Sequence, residues 1–292
     1  MQALTHWILS HEILFRSTCT FTVLGLMALW EILAPRRPLR LPKRVRWFNN
    51  LTLVILNNLL VRALFPTAAV GVAAFAQSRE WGVLQLYSLP LGWRILLAVV
   101  VLDLIIYLQH VMFHAIPVLW RLHRVHHADP DFDVTTGIRF HPLEILLSLG
   151  VKATAIVILG PPVAAVVLFE VLLNATAMFN HGNVGLPRPV DKVLRWLVVT
   201  PDMHRVHHSV EDDEANSNFG FNLPWWDRLL GTYRDSPREG HRGMIIGIHS
   251  LKTPRQVSWL PGMLLLPFRQ PVTGYVINRR SWKKYRSKAE KR

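Results

Sequence analysis

Four stretches of this chain are too long and too apolar to be folded away inside a water-soluble globule: residues 13–34, 50–76, 93–113 and 143–180. At about 1.5 Å per residue the first covers about one bilayer crossing, and Pro35 ends it. The second is interrupted by Pro66, where the absent N–H and the ring predict a kink. The fourth is broken near its middle by Gly160, Pro161 and Pro162, so it reads as a hairpin of two helices that leaves one side of the membrane and returns to it. With 51% hydrophobic residues over 292, the fold class is all-α integral membrane: about four transmembrane helices, counting three spans and the hairpin, under a histidine-rich cytoplasmic helical cap.

A formal net charge of +14 resembles a nucleic-acid signal until it is located. Arg36, Arg37, Arg40, Lys43, Arg44 and Arg46 crowd one loop. Eight further cations crowd the tail 279–292, against Glu290 alone, so loop and tail hold nearly the whole excess. Clusters beside membrane spans set topology and meet anionic lipid headgroups, which excludes nucleic acid as partner and puts the loop, the tail and the C-terminus in the cytoplasm. The apolar stretch near the N-terminus lacks a basic leader and a cleavage site and reads as a retained helix. Cys19 is the lone cysteine, so no intrachain disulfide forms and thiolate ligation is not expected. The ten-residue run 259–268, with Pro261 and Pro267, is too short to span and reads as interfacial.

On the topology that the charges dictate, every histidine cluster emerges on one face. His110 and His114 stand one helical turn apart, with Asp103 and Tyr107 on the same face. His123, His126 and His127 follow the spacing i, i+3, i+4, which predicts three imidazoles on one side of a helix. His204, His207 and His208 repeat it in a second HRVHH, after Thr200 as N-cap, Pro201 at the first helical position and Asp202 near the positive helix end. A lone histidine in a helix is more often packed or hydrogen-bonded than ligating, but eight at three helical spacings point to metal. They exceed what one ion accepts, so two metals are implied. Imidazole suits zinc, copper, iron and nickel alike. A closed structural zinc site would favour cysteine, and an all-nitrogen pair with open positions suits iron.

HVMFH, LWRLHRVHH and MHRVHHS, followed by WWDRLLGTY, resemble the histidine boxes and closing aromatic motif of the fatty acid hydroxylase/sterol desaturase superfamily, over about residues 95–235. Within it the chain is most similar to bacterial sterol desaturase-like proteins and secondarily to alkylglycerol monooxygenases. The resemblance implies a non-haem di-iron oxidoreductase that uses O2 to hydroxylate or desaturate a lipid C–H bond. Its implied ligands are His110, His114, His123, His126, His127, His204, His207 and His208, with His181 as the additional histidine after the hairpin. Two Fe ions are the implied cofactors, with zinc a possible occupant of purified protein, and O2 is the co-substrate. A bacterial inner-membrane, multi-pass protein is expected, organised as residues 1–92 (membrane helices and basic loop), 93–235 (oxygenase core) and 236–292 (interfacial segment and tail).

His141 is a candidate further ligand, outer partner or helix-start residue. Asp103, Asp129, Asp131, Asp133, Glu144, Glu170, Asn174, Asn180, Asp202 and Asp227 are candidates to orient ligating imidazoles, which need a partner on their other nitrogen. Glu170 and Asn174, four apart in the hairpin, are expected to line a substrate path. Arg124, Arg139 and Arg205 are read as boundary residues that snorkel or meet a headgroup, and His6, His11, His241 and His249 as ordinary surface residues. No dinucleotide or haem-attachment motif is present, so electrons must come from a separate reductase, ferredoxin or cytochrome. The rival reading is a histidine-based membrane metal transporter or sensor, which predicts ligands spread through membrane depth.

Overall fold

The computed structural model describes residues 10–251 and 253–269. His6 and the basic tail 279–292 lie outside the described residues. Within them the chain is helical, and extended segments pair only as isolated bridges, Pro35 with Val184 and Ser209 with Ile246. In chain order the main helices are α1 (Glu12–Leu33), α2 (Lys43–Leu64), α3 (Ala68–Ser78), α4 (Leu91–Ala115), α5 (Pro117–His127), α6 (Pro142–Leu159), α7 (Val163–Asn180), α8 (Arg188–Leu194) and α9 (Pro201–His207). Five helical stretches are long and apolar enough to cross a bilayer: α1, α2 with α3, α4, α6 and α7. The expected count of about four is therefore five, because the hairpin contributes two helices of spanning length. Pro66 separates α2 from α3, as its missing N–H requires. The second span also starts earlier than expected, since Lys43, Arg44 and Arg46 form the first turn of α2 rather than loop.

Between spans the surrounding lipid is as apolar as leucine, so helices associate through close packing and polar contacts. At the core, α7 touches α1, α3 and α4. Ala69 and Ala73 of α3 let it approach Leu102 and Ile106 of α4, Ile156 of α6, and Val166 and Phe169 of α7. The far end of the hairpin closes on Gly160, whose φ of 64° suits glycine, and a Cβ on Gly82 would stand 2.2 Å from the Gly160 nitrogen.

Helix α1 is mostly exposed and is fastened by two carboxylates. Near its membrane-cap end, Glu31 accepts hydrogen bonds from the backbone N–H of Val134 (2.7 Å) and Asn183 (2.9 Å). Deeper in the bilayer, Arg16 pairs with Glu170 of α7 at 3.0 Å, and Lys152 of α6 pairs with the same carboxylate. The expectation for the Glu170–Asn174 face is thereby corrected. Glu170 is closed off by two cations, and Asn174 is exposed on the outside of the bundle. Glu170→Gln removes the charge that holds both cations, and a stability loss of about 1–3 kcal/mol is expected. A lowered thermal midpoint of the lipid-reconstituted protein measures it, and an unchanged midpoint contradicts this role.

The cap consists of α5, the loop 128–141, residues 182–200 with α8, then α9 and residues 208–250, laid over the site end of the spans. Several cationic residues of the stretch 36–46 act inside the protein, against the cap. Arg46 is fully buried and donates to Asp129 (2.8 Å) and Asp133 (2.5 Å). Arg36 pairs with Asp202 (3.0 Å), and Arg37 donates to the carbonyls of His241 and Met244. Half of the basic loop is thus internal bracing. The boundary arginines do not snorkel either. Arg124 donates to the carbonyls of Leu266 and Arg269, Arg139 to those of Val125 and Val257, and Arg205 to Asp202 and to the carbonyls of Gly182 and Val184. The segment 254–268 is half interfacial and half core. Trp259 and Phe268 are exposed, while Val257, Met263 and Leu266 pack with Leu53 and Val125.

Candidate metal centre

The helix termini that carry the histidines are locally specified. The side chain of Thr200 accepts from the Met203 N–H at the N-cap of α9, with Pro201 at the first helical position. Pro117 likewise begins α5 after the break at Ile116. All nine candidate histidines are buried, and they form two groups. His110, His114, His123, His127 and His207 make the first, and His126, His181, His204 and His208 the second. Within each group one nitrogen per ring lies within 4.8 Å of all the others.

This division corrects the expectation that each HRVHH presents its three imidazoles to one side. In α5 the i, i+4 pair His123 and His127 turns to the first group and His126 to the second. In the other motif the assignment is reversed, with His204 and His208 in the second group and His207 in the first. Each motif therefore serves both groups, and each group takes a pair from one motif and a single ring from the other. A helical turn of 3.6 residues makes this natural, since i+3 and i+4 diverge by about 100° about the axis.

Backbone carbonyls orient the rings more often than carboxylates do. His110 Nδ1 donates to Phe219 O, His207 Nδ1 to Ser217 O and His181 Nδ1 to Ala177 O, each at 2.7 Å, and His123 Nδ1 contacts Glu144 Oε1 at 2.6 Å. Because a carbonyl only accepts, the facing nitrogen carries the proton, and the Nε2 of a neutral ring is left with a lone pair. These lone pairs point at the Nε2 atoms of neighbouring rings. His110 Nε2 lies 3.1 Å from His123 Nε2 and 3.0 Å from His207 Nε2. In the second group His181 Nε2 lies 3.1 Å from His126 Nε2 and 3.2 Å from His208 Nε2. Neither ring nitrogen of His204 has a hydrogen-bond partner.

The Nε2 lone pairs of His110 and His207 converge and repel one another unless a cation lies between them, and in both groups the clustered ring nitrogens offer a cation its donors. A metal–nitrogen bond of about 2.1 Å sets donors at right angles about 3 Å apart, which is the spacing seen. The residues therefore fit a metal in each group. Burial lowers His123 and His181 to about 3, and burial with neighbouring imidazoles holds His126, His127, His204, His207 and His208 well below the usual imidazole value. The rings are thus kept in the neutral form that ligation needs.

Of the other candidates, only Glu144 reaches a ring of either group. His141 caps α6, accepting from the Leu143 N–H at 3.2 Å and facing Leu264 O at 3.3 Å, so it belongs to neither group. Asp103 accepts from Trp226 Nε1 (2.8 Å) and Leu223 N (3.3 Å), and Tyr107 bonds Thr232. Asp129 and Asp133 hold Arg46, Asp131 accepts from the N–H of Arg40 and Leu41, and Asp202 holds Arg36 and Arg205. Asp227 accepts from the N–H of Phe219 and Gly220, fixing the peptide whose carbonyl orients His110. Asn180 donates to Phe221 O.

The carbonyls of Ala177, Ser217 and Phe219 carry no side-chain signal and were not legible in the sequence. Gly137 is the nearest thing to one. A Cβ there would stand 2.4 Å from Ala177 O and 3.1 Å from His181 Nδ1. Gly137→Ala is expected to displace that carbonyl and weaken metal retention in the second group by about 10-fold, the scale of outer-partner losses. Gly150→Ala, with nothing within 4 Å, is the control, and equal loss to a chelator in both variants contradicts the assignment.

The chain is 27% identical over 241 residues to ornithine lipid hydroxylase OlsE of Rhizobium tropici, covering 78% of this chain and 69% of that one. It is 28% identical over 170 residues to alkylglycerol monooxygenase of Xenopus tropicalis (56% of this chain, 36% of that one). It is 25% identical over 149 residues to cholesterol 25-hydroxylase of Mus musculus (49% and 48%). The chain thus spans half or less of the latter two relatives. No solved structure matches it. Residues 95–232, which hold the nine histidines of the two groups, match the model of the fatty acid hydroxylase family. Over that core the chain is similar to the fatty acid hydroxylase family.

Proposed function

We propose that the chain is a membrane-bound, O2-dependent oxidoreductase that holds two iron ions and hydroxylates or desaturates a C–H bond of a lipid. The interleaving of the two histidine groups carries this reading. Because both HRVHH motifs serve both groups, the two ions would be held as one rigid pair. His110, His114, His123, His127 and His207 would hold one ion, and His126, His181, His204 and His208 the other. Such a pair supplies O2 activation and the oxidising equivalents for C–H cleavage.

The chain's own residues orient the ligands and exclude water. Phe219 O, Ser217 O, Ala177 O and Glu144 fix four rings. Phe132, Phe140, Phe219, Phe221 and Trp120 wall the groups, with Phe140 stacked 4.6 Å from His126. That apolar lining protects a reactive centre from water and side reactions. The site lies at the cytoplasmic ends of the spans on the charge argument, so a lipid substrate arrives from the bilayer and electrons from a separate donor protein. A transporter would need donors spread through membrane depth, whereas the nine rings gather in two adjoining groups.

The test is comparative lipid mass spectrometry of cells with and without the protein under labelled O2. One added heavy oxygen marks hydroxylation, and loss of two hydrogens marks desaturation. An unchanged lipidome alongside a metal-loaded protein overturns the reading.

A further inference from the structure

Part of the cap presents an apolar face to the outside although it contains no spanning helix. Val193, Trp196 and Leu197, in and just after α8, are 68%, 59% and 62% exposed, and Leu229 is 74% exposed. These are not scattered side chains. Trp225 Nε1 donates to Trp196 O at 2.7 Å, and Arg228 stacks over the Trp196 ring at 3.9 Å, joining residues 188–197 and 225–230 into one surface.

Contacts to the spans set the depth of that surface. Trp226 is pinned to Asp103, twelve residues from each end of α4 and so about 18 Å along it from Leu91. Asn222 is bonded to Thr176, one turn before the end of α7. Segment 222–230 therefore lies across two membrane helices, below their site ends, within reach of a hydrocarbon layer about 30 Å thick. Leu172, one turn before Thr176 on α7, is exposed and apolar. The surface stands beside that lipid-facing residue. Arg188 and Lys192 are exposed on α8, and tryptophan with nearby cations is the composition of the headgroup boundary.

We propose that the face formed by residues 188–197 and 225–230 is inserted into the acyl–headgroup boundary of the bilayer, with Arg188 and Lys192 against anionic lipid phosphates. The cap then dips into the membrane as a wedge beside α4 and α7. Phe221 stands at its inner edge, with its ring 5.0 Å from His110 and 6.0 Å from His204, so bilayer contact runs inward to both histidine groups.

The test uses the full chain with Cys19→Ser, carrying a nitroxide at Leu197→Cys, Leu229→Cys or Ser250→Cys. Each is reconstituted in vesicles of phosphatidylcholine and phosphatidylglycerol. Labels at 197 and 229 are expected to collide with O2 more than with a water-soluble nickel chelate, and the exposed position 250 is expected to show the reverse ratio. Equal nickel access at all three positions overturns the proposal. Shielding of 197 and 229 from both reagents also overturns it, because a protein partner or second copy then covers the face. Arg188→Glu with Lys192→Glu is expected to shift the 197 label toward the nickel reagent. An unchanged ratio removes the phosphate contact from the proposal.

Discussion

Replacing His126 and His204 together by alanine is expected to lower the metal content to about one ion per chain, although the two residues lie in different motifs. The pair takes the second group from four donors to two and leaves all five donors of the first. His123→Ala with His207→Ala is expected to deplete the other ion and spare this one. Elemental analysis of protein purified in lipid reads both outcomes. Lipid oxidation is expected to fall at least about 100-fold in either double variant, since loss of outer ligand partners alone reaches that scale. If each motif held its own ion, both double variants would weaken both ions alike. That result would sink the interleaved assignment while leaving a two-metal protein intact.

Asp129→Ala is expected to cost about 3–5 kcal/mol of stability, the scale for stranding a buried charge. Burial by itself would raise this carboxyl, but Arg46 and Arg139 hold it below the usual carboxylate range. Both guanidiniums are fully buried, Arg46 from α2 and Arg139 from the loop before α6, so the aspartate joins spans to cap. Without it Arg46 keeps Asp133, while Arg139 loses its nearest carboxylate. The measurement is the thermal midpoint and folded yield in detergent. Asp129→Asn is expected to fall between the variant and the parent, because it restores an acceptor but not the charge. A midpoint of Asp129→Ala equal to the parent's would remove the network from the account.

Residues whose partners are water, lipid or their own helix were the readable ones. The break at Pro66, the Gly160–Pro162 turn and the Thr200 cap stand where the sequence puts them, and so do the apolar runs apart from the earlier start of α2, since chain length and missing donors are local properties. Long-range partners are not legible. Glu170 faces Lys152 and Arg16, which lie 18 and 154 positions away in sequence, and nothing local announces the pairing. Arg139 and Arg205 likewise donate to carbonyls distant in the chain. His141 carries the same side chain as the nine, yet it turns to a helix cap because α6 begins there.

By itself the sequence determined that the chain is helical, with apolar helices of spanning length and nine histidines at helical spacings, because hydrophobic length and periodicity are local properties. Which histidine serves which group was decided only in three dimensions. The divergence of i+3 from i+4 becomes a division of labour only when α5 and α9 face each other across α4 and α7. The carbonyls that aim the rings belong to residues whose side chains have no part in the site, so only the folded backbone could name them.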